Sequence, residues 1–523
     1  MSAPPTSPRR LAALLLVAGV AAGGGLMWLL RAPAPSAPQR IAPVSGPAPP
    51  PAATAPTEAA VPPAAESTSG PRWLVAGGGD VPESNQVSIE QDLALATRIL
   101  GPGGVLLYAS GPGSRAVQVL DPAGPPAGLR AELGQLFAPR AGRDARYRQT
   151  TLSPSGPATR EAFLDALATA VSHEGPPLLV YLAGHGLPGE TPADSAVLMW
   201  GRGELVPGDL AEVLDPARAR ETRLVVTSCY GGGFAELAFR GADPEGAVAT
   251  GRCGFFATTA DREAAGCDPD PDRRRQDGYG MHFLHALGQR AADGTPLEPE
   301  QVDFDGDGRV SLYEAHCRVR IASRSVDVPT STSERWLRKV APAEGPERPV
   351  ALPEEDAVIA ALTRDLVLPA ELPPVRARVQ ELDDAIDALA TQMTDAADEE
   401  DRRYAAIAAA LLGRWPVLDD PWHPDFEATL AKDGEAIEAA LRSDPRYRAF
   451  LEAGADLDQL AEDRRVLEVR QAPLLRLMRA LENRELAARL RARGGKAWRG
   501  YERLLACERE VPELANPRGS NGP

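Results

Sequence analysis

The sequence is short of positive charge. Its 56 lysines and arginines stand against 73 aspartates and glutamates, which gives a formal net charge of -17 at pH 7. Nucleic-acid phosphates require a basic surface, so we exclude nucleic acid as a partner. No Gly-x-x-x-x-Gly-Lys-Ser/Thr or Gly-x-Gly-x-x-Gly motif follows a predicted strand, and Gly-x-Ser-x-Gly is missing. These absences argue against a nucleotide-binding loop and against a serine hydrolase.

Cysteine is also scarce. The five cysteines are Cys229, Cys253, Cys267, Cys317 and Cys507. None lies near the N-terminus, which excludes a lipid-modified N-terminal cysteine. An exported chain can form disulfides, and Cys253 with Cys267 is the pair that the sequence suggests testing.

Long apolar runs are rare, and the longest is at the N-terminus. Residues 11–30 carry no charge and lie between Arg10 and Arg31. About twenty apolar residues can cross a bilayer as a helix, and the preceding arginines favour a cytoplasmic N-terminus. We expect residues 1–31 to anchor an extracytoplasmic protein in the membrane, facing the periplasm if the source is bacterial. The alternative is a cleaved signal sequence and a secreted protein. Residues 32–71 are rich in Pro and Ala and should form an extended linker.

Two apolar runs end in reactive side chains. Residues 178–184 precede His185 and Gly186, and residues 224–228 precede Cys229. Each run is typical of a strand buried on both faces, as in a parallel sheet covered by helices. The carboxyl ends of such strands build the sites of open α/β sheets. If the two strands are neighbours, an imidazole faces a thiol. The alternation of strands and helices predicts an α/β fold with a mostly parallel sheet and helices on both faces.

Several other elements can be predicted. Ser88 should cap a helix that runs to Leu100, with Gln91 completing a capping box, and Tyr279 should begin another helix. Apolar residues at alternating spacings of four and three predict a helix from Pro374 with one face packed on another helix. Further helices are predicted over about 402–412, 426–441 and 474–490. We therefore expect a first domain over 72–345 and an all-α domain over 350–523. The second packs on itself or on the first; partner binding or substrate gating is the alternative.

The His185 and Cys229 motifs, in this order and 44 residues apart (229 − 185), are similar to those of the caspase-like cysteine peptidases. That group holds caspases, metacaspases and legumains, and bacterial legumain-like members resemble this chain most. The resemblance covers roughly 72–338. It implies a protein or peptide substrate and an acyl-enzyme on Cys229. It also implies that His185 acts on the thiol, and that the Gly186 and Cys229 backbone N–H groups bind the oxyanion.

The resemblance leaves several alternatives open. In several branches an acidic residue two positions before the cysteine accepts a basic substrate side chain, but here that residue is Thr227. The cleavage preference therefore stays open. His185 can take the thiol proton or pair with a thiolate as imidazolium, and glycines 231–233 should clear the substrate backbone or permit the turn. A transpeptidase, or an inactive calcium-stabilised binding module of the same fold, remains an alternative to an endopeptidase.

An acidic loop over 303–314 fits the twelve-residue EF-hand pattern. The expected calcium ligands are Asp303, Asp305, Asp307, the Arg309 carbonyl, Ser311 through water and a bidentate Glu314. No second EF-hand exists in the sequence, so we expect one structural calcium site. The alternative is a solvated acidic turn without metal.

Overall fold

The computed structural model describes residues 70–124, 127–138, 144–216 and 220–512. The anchor predicted over 1–31 lies outside the described residues, as does nearly all of the linker predicted over 32–71. Within the described ranges, no helix is both long enough and apolar enough to cross a bilayer.

Strands at the centre of the described chain form a six-stranded sheet. The described strands are β1 Trp73–Gly78, β2 Val105–Tyr108, β3 Val117–Leu120, β4 Ala145–Arg148, β5 Leu178–Gly184, β6 Gly186–Leu187, β7 Ala196–Met199, β8 Gly203–Leu205, β9 Thr222–Val226, β10 Arg252–Phe256 and β11 Thr330–Ser331. The sheet order is β11-β10-β9-β5-β1-β2, and β11 alone pairs in antiparallel fashion. The predicted α/β fold with a mostly parallel sheet is confirmed.

Strand order reverses between β1 and β5. From β1 the chain moves outward to β2, and later returns to β5 on the other side of β1 before continuing to β9 and β10. In open α/β sheets, ligand sites form at the carboxyl ends of the strands beside such a switch point. The ends of β1, β5 and β9 are therefore where the fold places a site.

Helices cover both faces of the sheet. The described helices are α1 Val87–Leu100, α2 Leu129–Phe137, α3 Arg160–Ser172, α4 Pro207–Leu214, α5 Tyr279–Leu287, α6 Leu312–Ala322, α7 Thr332–Val340, α8 Pro353–Leu366, α9 Leu372–Leu412, α10 Phe426–Ser443, α11 Pro445–Arg493 and α12 Gly495–Glu508. Alternate residues of β1, β5 and β9 point to opposite faces. One set packs with α3 and α4, and the other packs with α1, α5, α6 and α7.

The C-terminal helices join the second of these cores. Side chains of α8, the start of α9, the end of α11 and α12 are buried together with those of α1 and α5. The helices predicted separately over 402–412 and 474–490 are parts of the longer α9 and α11. Helix α11 continues through Pro473, a residue that lacks the N–H needed for the helical ladder. Packing of α11 against α9 and the sheet core outweighs this local loss.

Buried charges and a disulfide fasten the C-terminal helices to the sheet. Arg320 on α6 makes two 2.9 Å bonds to the Glu355 carboxylate on α8. Arg476 on α11 donates to four backbone carbonyls, those of residues 320, 323, 325 and 327. Cys253 is bonded to Cys507, so the suggested pairing with Cys267 is wrong. Helix α12 packs on β10 and brings together two cysteines 254 residues apart, which sequence spacing cannot indicate.

The start of α1 differs from the prediction by two residues. Gln86 is the N-cap, and Ser88 lies in the first turn. The Ser88 hydroxyl accepts a 2.7 Å hydrogen bond from the Asp268 N–H, and Gln91 donates to the Pro271 carbonyl. These polar side chains therefore hold a distant segment and do not form the predicted capping box.

Candidate active site

The sheet brings the two predicted motifs to the same edge. Leu182 on β5 pairs with Val226 on β9, and His185 and Cys229 each lie three residues beyond that pair. A side chain on Gly186 would collide with the Cys229 carbonyl oxygen. Only glycine permits this approach, so the backbones that carry the imidazole and the thiol are in contact.

The His185 ring is held by the connection between β1 and α1. Its Nε2 lies 2.9 Å from the Ser84 carbonyl oxygen and 2.9 Å from Gln86 Oε1. Because a carbonyl oxygen only accepts hydrogen bonds, Nε2 must carry the proton. In the neutral ring, Nδ1 then holds the lone pair that a general base needs. Burial lowers the pKa of His185, against the opposing effects of the Ser84 carbonyl and Asp80.

The Cys229 thiol contacts the backbone of Ala264. Its Sγ accepts from the Ala264 N–H at 3.3 Å and donates to the Ala264 carbonyl at 3.5 Å. Burial raises the pKa of Cys229, and the neighbouring Cys267 raises it further. Within the described chain, no hydrogen bond joins Cys229 to His185. The two pKa shifts favour the neutral form of both the thiol and the imidazole.

The turn after Cys229 is tight. Tyr230 has a φ of 56°, a left-handed conformation that is uncommon for a bulky residue. A 3₁₀-helix over Gly231–Ala238 follows. A Cβ on Gly232 would stand 2.6 Å from the Thr258 carbonyl oxygen. The glycine therefore serves close backbone packing within the protein, and substrate clearance is not what requires it.

Residues 261–276, which we name the covering segment, pass over the strand ends. The Arg262 carbonyl accepts from the Tyr230 N–H at 2.8 Å, and the Ala265 N–H donates to Asp327 at 2.7 Å. Further along, the segment bonds to Ser88 and Gln91 on α1 as described above. These contacts place Ala264 directly on the thiol.

Helix α11 borders the same corner. Arg262 donates to Gln471 at 3.4 Å, and the Tyr230 hydroxyl lies 3.5 Å from Glu263. Burial raises the pKa of Glu263, and Glu468 on α11 raises it further, while Arg464 opposes both. The helical part of the chain thus forms one rim of the candidate active site.

The acidic loop brings three of its six predicted ligands together. Carboxylate oxygens of Asp303, Asp305 and Asp307 lie within 4.8 Å of one another, in a form that suits a hard cation such as calcium. Glu314 and Ser311 instead bond to each other at the start of α6, with Ser311 Oγ 2.9 Å from Glu314 Oε2. The backbone N–H of Arg309 donates to Asp307 at 2.8 Å.

Three contacts at this corner were not expected from the sequence. They are the Gln86 amide on His185, the Ala264 backbone on Cys229, and the Asp92 carboxylate beside the end of β9. Each comes from a part of the chain remote from the residue it contacts. No local pattern marks such residues, because only the sheet order brings them together.

Comparison with known proteins gives little beyond this geometry. No family model matches the chain, and no curated protein matches its sequence. Solved structures that match include caspase-1 from Spodoptera frugiperda, at 11% identity and a TM-score of 0.25, over 51% of this chain and 88% of that chain. A TM-score of this size is too low to assign a family or a function.

Proposed function

We propose that the chain is a cysteine endopeptidase of the caspase-like type, with Cys229 as nucleophile and His185 as general base. One observation carries the proposal. The Ser84 carbonyl fixes the proton of His185 on Nε2, which leaves a basic Nδ1 beside the strand end that carries the thiol. This is the tautomer that a general base acting through Nδ1 on a neighbouring thiol requires.

The reaction follows from these positions. Nδ1 takes the thiol proton as Sγ attacks the peptide carbonyl carbon, and the carbonyl electron pair moves to oxygen. The backbone N–H groups of Gly186 and Cys229 would stabilise that oxyanion, and one such donor is typically worth about 10²–10³ in rate. The C–N bond then breaks, and His185 returns the proton to the leaving amine. Water hydrolyses the thioester and regenerates the thiol.

The closed corner implies a resting form. The Ala264 N–H and carbonyl both contact Sγ, so this backbone lies where a substrate peptide would approach the partly exposed thiol. Turnover therefore requires the covering segment to move away from the strand ends. Such a step is common among enzymes that complete their site on substrate binding.

Location and metal binding belong to the same proposal. The Cys253–Cys507 disulfide supports an oxidising, extracytoplasmic compartment, in keeping with an anchor at 1–31. The converging carboxylates of Asp303, Asp305 and Asp307 support a structural calcium ion. At that position it would hold the loop that precedes α6, whose side chains enter the main core.

The test is cleavage of a peptide library by the full-length chain, with and without calcium. We expect Cys229→Ala and His185→Ala each to reduce turnover by about 10³-fold or more. Cys317→Ala, which changes a buried free cysteine away from the strand ends, is the control and should retain activity. An added amine that captures the acyl group would indicate transpeptidation.

Two results would contradict the proposal. Equal cleavage by the wild type and by Cys229→Ala would show that another group does the chemistry. No turnover under any condition, with Cys229 unreactive to alkylation, would favour the inactive binding module.

A further inference from the structure

A second free thiol lies at the same corner of the sheet as Cys229. Cys267 belongs to the covering segment, and its Sγ lies 4.0 Å from the carbonyl oxygen of Gly184, the residue immediately before His185. Its side chain also borders a small cavity that Thr227, two residues before Cys229, lines from the end of β9. Cys267 therefore borders the ends of β5 and β9, the strands that carry His185 and Cys229.

The covering segment brings the two thiols to the same place. Ala264 contacts Cys229 Sγ, and Cys267 follows Ala264 by only three residues. Three residues span at most about 11 Å even when fully extended. The chain bends at Ala265, and the φ of 127° at Gly266 is a conformation that favours glycine. A Cβ on Gly266 would meet no atom within 4 Å, so the backbone conformation is what requires this glycine.

The redox state of the other cysteines gives this pair a chemical meaning. Cys229 is partly exposed, whereas Cys317, another free cysteine, is buried. The Cys253–Cys507 disulfide supports a compartment in which thiols are oxidised. There a nucleophilic cysteine is exposed to oxidation, first to a sulfenic acid and then irreversibly to higher acids. A second thiol within reach traps the sulfenic acid as a disulfide, which can be reduced again.

We propose that Cys267 is a resolving cysteine for Cys229, and that a hydroperoxide converts the pair into a disulfide that fastens the covering segment over the candidate active site. The disulfide would remove the nucleophile and hold the segment closed in one step, and reduction would restore both thiols. Formation of this bond does not require peptidase activity. Only its effect on turnover rests on the proposed function.

The oxidation takes two balanced steps. His185 takes the proton of Cys229, and Sγ attacks one oxygen of the hydroperoxide. The O–O bond breaks, the sulfur loses two electrons to become a sulfenic acid, and the leaving oxygen takes up the proton. The Cys267 sulfur then attacks the Cys229 sulfur, the S–O bond breaks, and hydroxide leaves with the Cys267 proton as water. Two thiols and one hydroperoxide thus give one disulfide, one alcohol and one water.

Proton transfer to His185 matters for the first of these steps. Burial raises the pKa of both Cys229 and Cys267, so each thiol keeps its proton at neutral pH. The thiolate is the form of cysteine that attacks, and the imidazole beside the strand end is the base that can supply it.

The experiment maps the new bond in the full-length chain. The protein is treated with hydrogen peroxide, remaining thiols are blocked with iodoacetamide, and peptides are analysed by mass spectrometry without reduction. We expect a peptide pair joined through Cys229 and Cys267, which should disappear after treatment with dithiothreitol. Cys317→Ala is the control, because Cys317 is the buried free cysteine on α6, and this variant should form the same bond.

Cys267→Ala tests the resolving role. In this variant peroxide should oxidise Cys229 to the sulfinic acid with permanent loss of activity, whereas the wild type should recover most of its activity in dithiothreitol. Sulfinic acid at Cys229 of the wild type, with no bond to Cys267, would overturn the proposal. So would a bond from Cys229 to Cys317 or to a second copy of the chain. The wild-type map decides the question even if Cys267→Ala does not fold.

The peptide map and the cleavage assay separate this inference from the proposed function. A bond between Cys229 and Cys267 in a chain without any Cys229-dependent cleavage would refute the peptidase and keep the redox pair. Cys229-dependent cleavage that peroxide abolishes and dithiothreitol does not restore, with no such bond, would refute only the redox pair.

Discussion

The acidic loop and the Cys229–His185 corner are built in opposite ways. The acidic loop takes all its polar groups from twelve consecutive residues, and Asp305 and Asp307 are exposed. The corner combines the ends of β5 and β9 with the β1–α1 connection and the covering segment. His185 and Cys229 are partly buried and contact backbone from remote parts of the chain, whereas the loop exposes Asp305 and Asp307 to solvent.

This difference separates binding from reactivity. A cation can reach the three aspartates without a change of fold, so calcium affinity should depend on local charge alone. The backbone of Ala264, from a distant segment, contacts the thiol, so the reactivity of the thiol should depend on contacts far along the chain. Variants in the acidic loop should therefore leave the reactivity of Cys229 unchanged, and variants around Cys229 should leave the calcium affinity unchanged.

Among variants that test this comparison, the largest effect is expected on calcium binding at the acidic loop. Asp303→Asn keeps the size of the side chain but removes a charge, and should weaken calcium binding by about tenfold or more. Calorimetry of the full-length chain measures the affinity. Thermal unfolding gives a second measure, because calcium at 100 times its dissociation constant stabilises the folded form by about 2.7 kcal/mol.

The control for this variant is Asp293→Asn, at an exposed turn where the aspartate bonds to Thr295. It should bind calcium as the wild type does, and both variants should show an unchanged alkylation rate at Cys229. No calcium-dependent stabilisation of the wild type would mean that the loop is a solvated acidic turn.

A smaller effect is expected when the covering segment is loosened. Ser88→Ala removes the hydroxyl that accepts from the Asp268 N–H. A hydrogen bond of this kind contributes about 1 kcal/mol, so the open form should become roughly fivefold more populated. The measurement is the iodoacetamide reaction rate at Cys229, followed by peptide mapping.

Thr97→Ala is the control on the same helix, because Thr97 bonds only to carbonyls of its own helix. It should leave the rate unchanged. Equal rates for Ser88→Ala and the wild type would mean that the thiol is reached without moving residue 268.

The parts of the fold that could be predicted are those with a local sequence pattern. The runs before His185 and Cys229 are apolar on both faces because helices cover both sides of the sheet, and the sequence shows this directly. The long helices were harder to predict, since Pro473 argues locally against a helix that packing maintains. The disulfide partner of Cys253 was missed because it depends on how α12 packs on β10.

The candidate site likewise has some residues that the sequence reveals and others that it does not. His185, Cys229 and the three aspartates can be found in short motifs. The residues that contact His185 and Cys229 cannot be found in this way, because their polar side chains look like ordinary surface or capping residues. Ser88 resembles an N-cap, and its actual partner is Asp268, 180 residues away. Gln86 likewise gives no local indication that it contacts an imidazole 99 residues further along.

The smallest expected effect tests how the dyad holds its proton. The structure favours a neutral thiol beside a neutral imidazole, because burial lowers the pKa of His185 and raises that of Cys229. A general base must be deprotonated, so activity should rise with pH through the lowered His185 pKa. The acid limb of the profile should then have a midpoint below about 6.5, the ordinary value for histidine.

Gln86→Glu sharpens this point. A carboxylate on Nε2 favours the imidazolium and should raise the His185 pKa by about one unit. If His185 acts as a general base, the acid limb of the profile then moves to higher pH. At pH values well above that limb, the variant and the wild type should have equal rates. Gln86→Leu is the control, since it removes the acceptor without adding charge and should lower the rate without moving the limb upward. If the dyad instead reacts as a thiolate–imidazolium pair, Gln86→Glu would stabilise that pair and extend activity to lower pH.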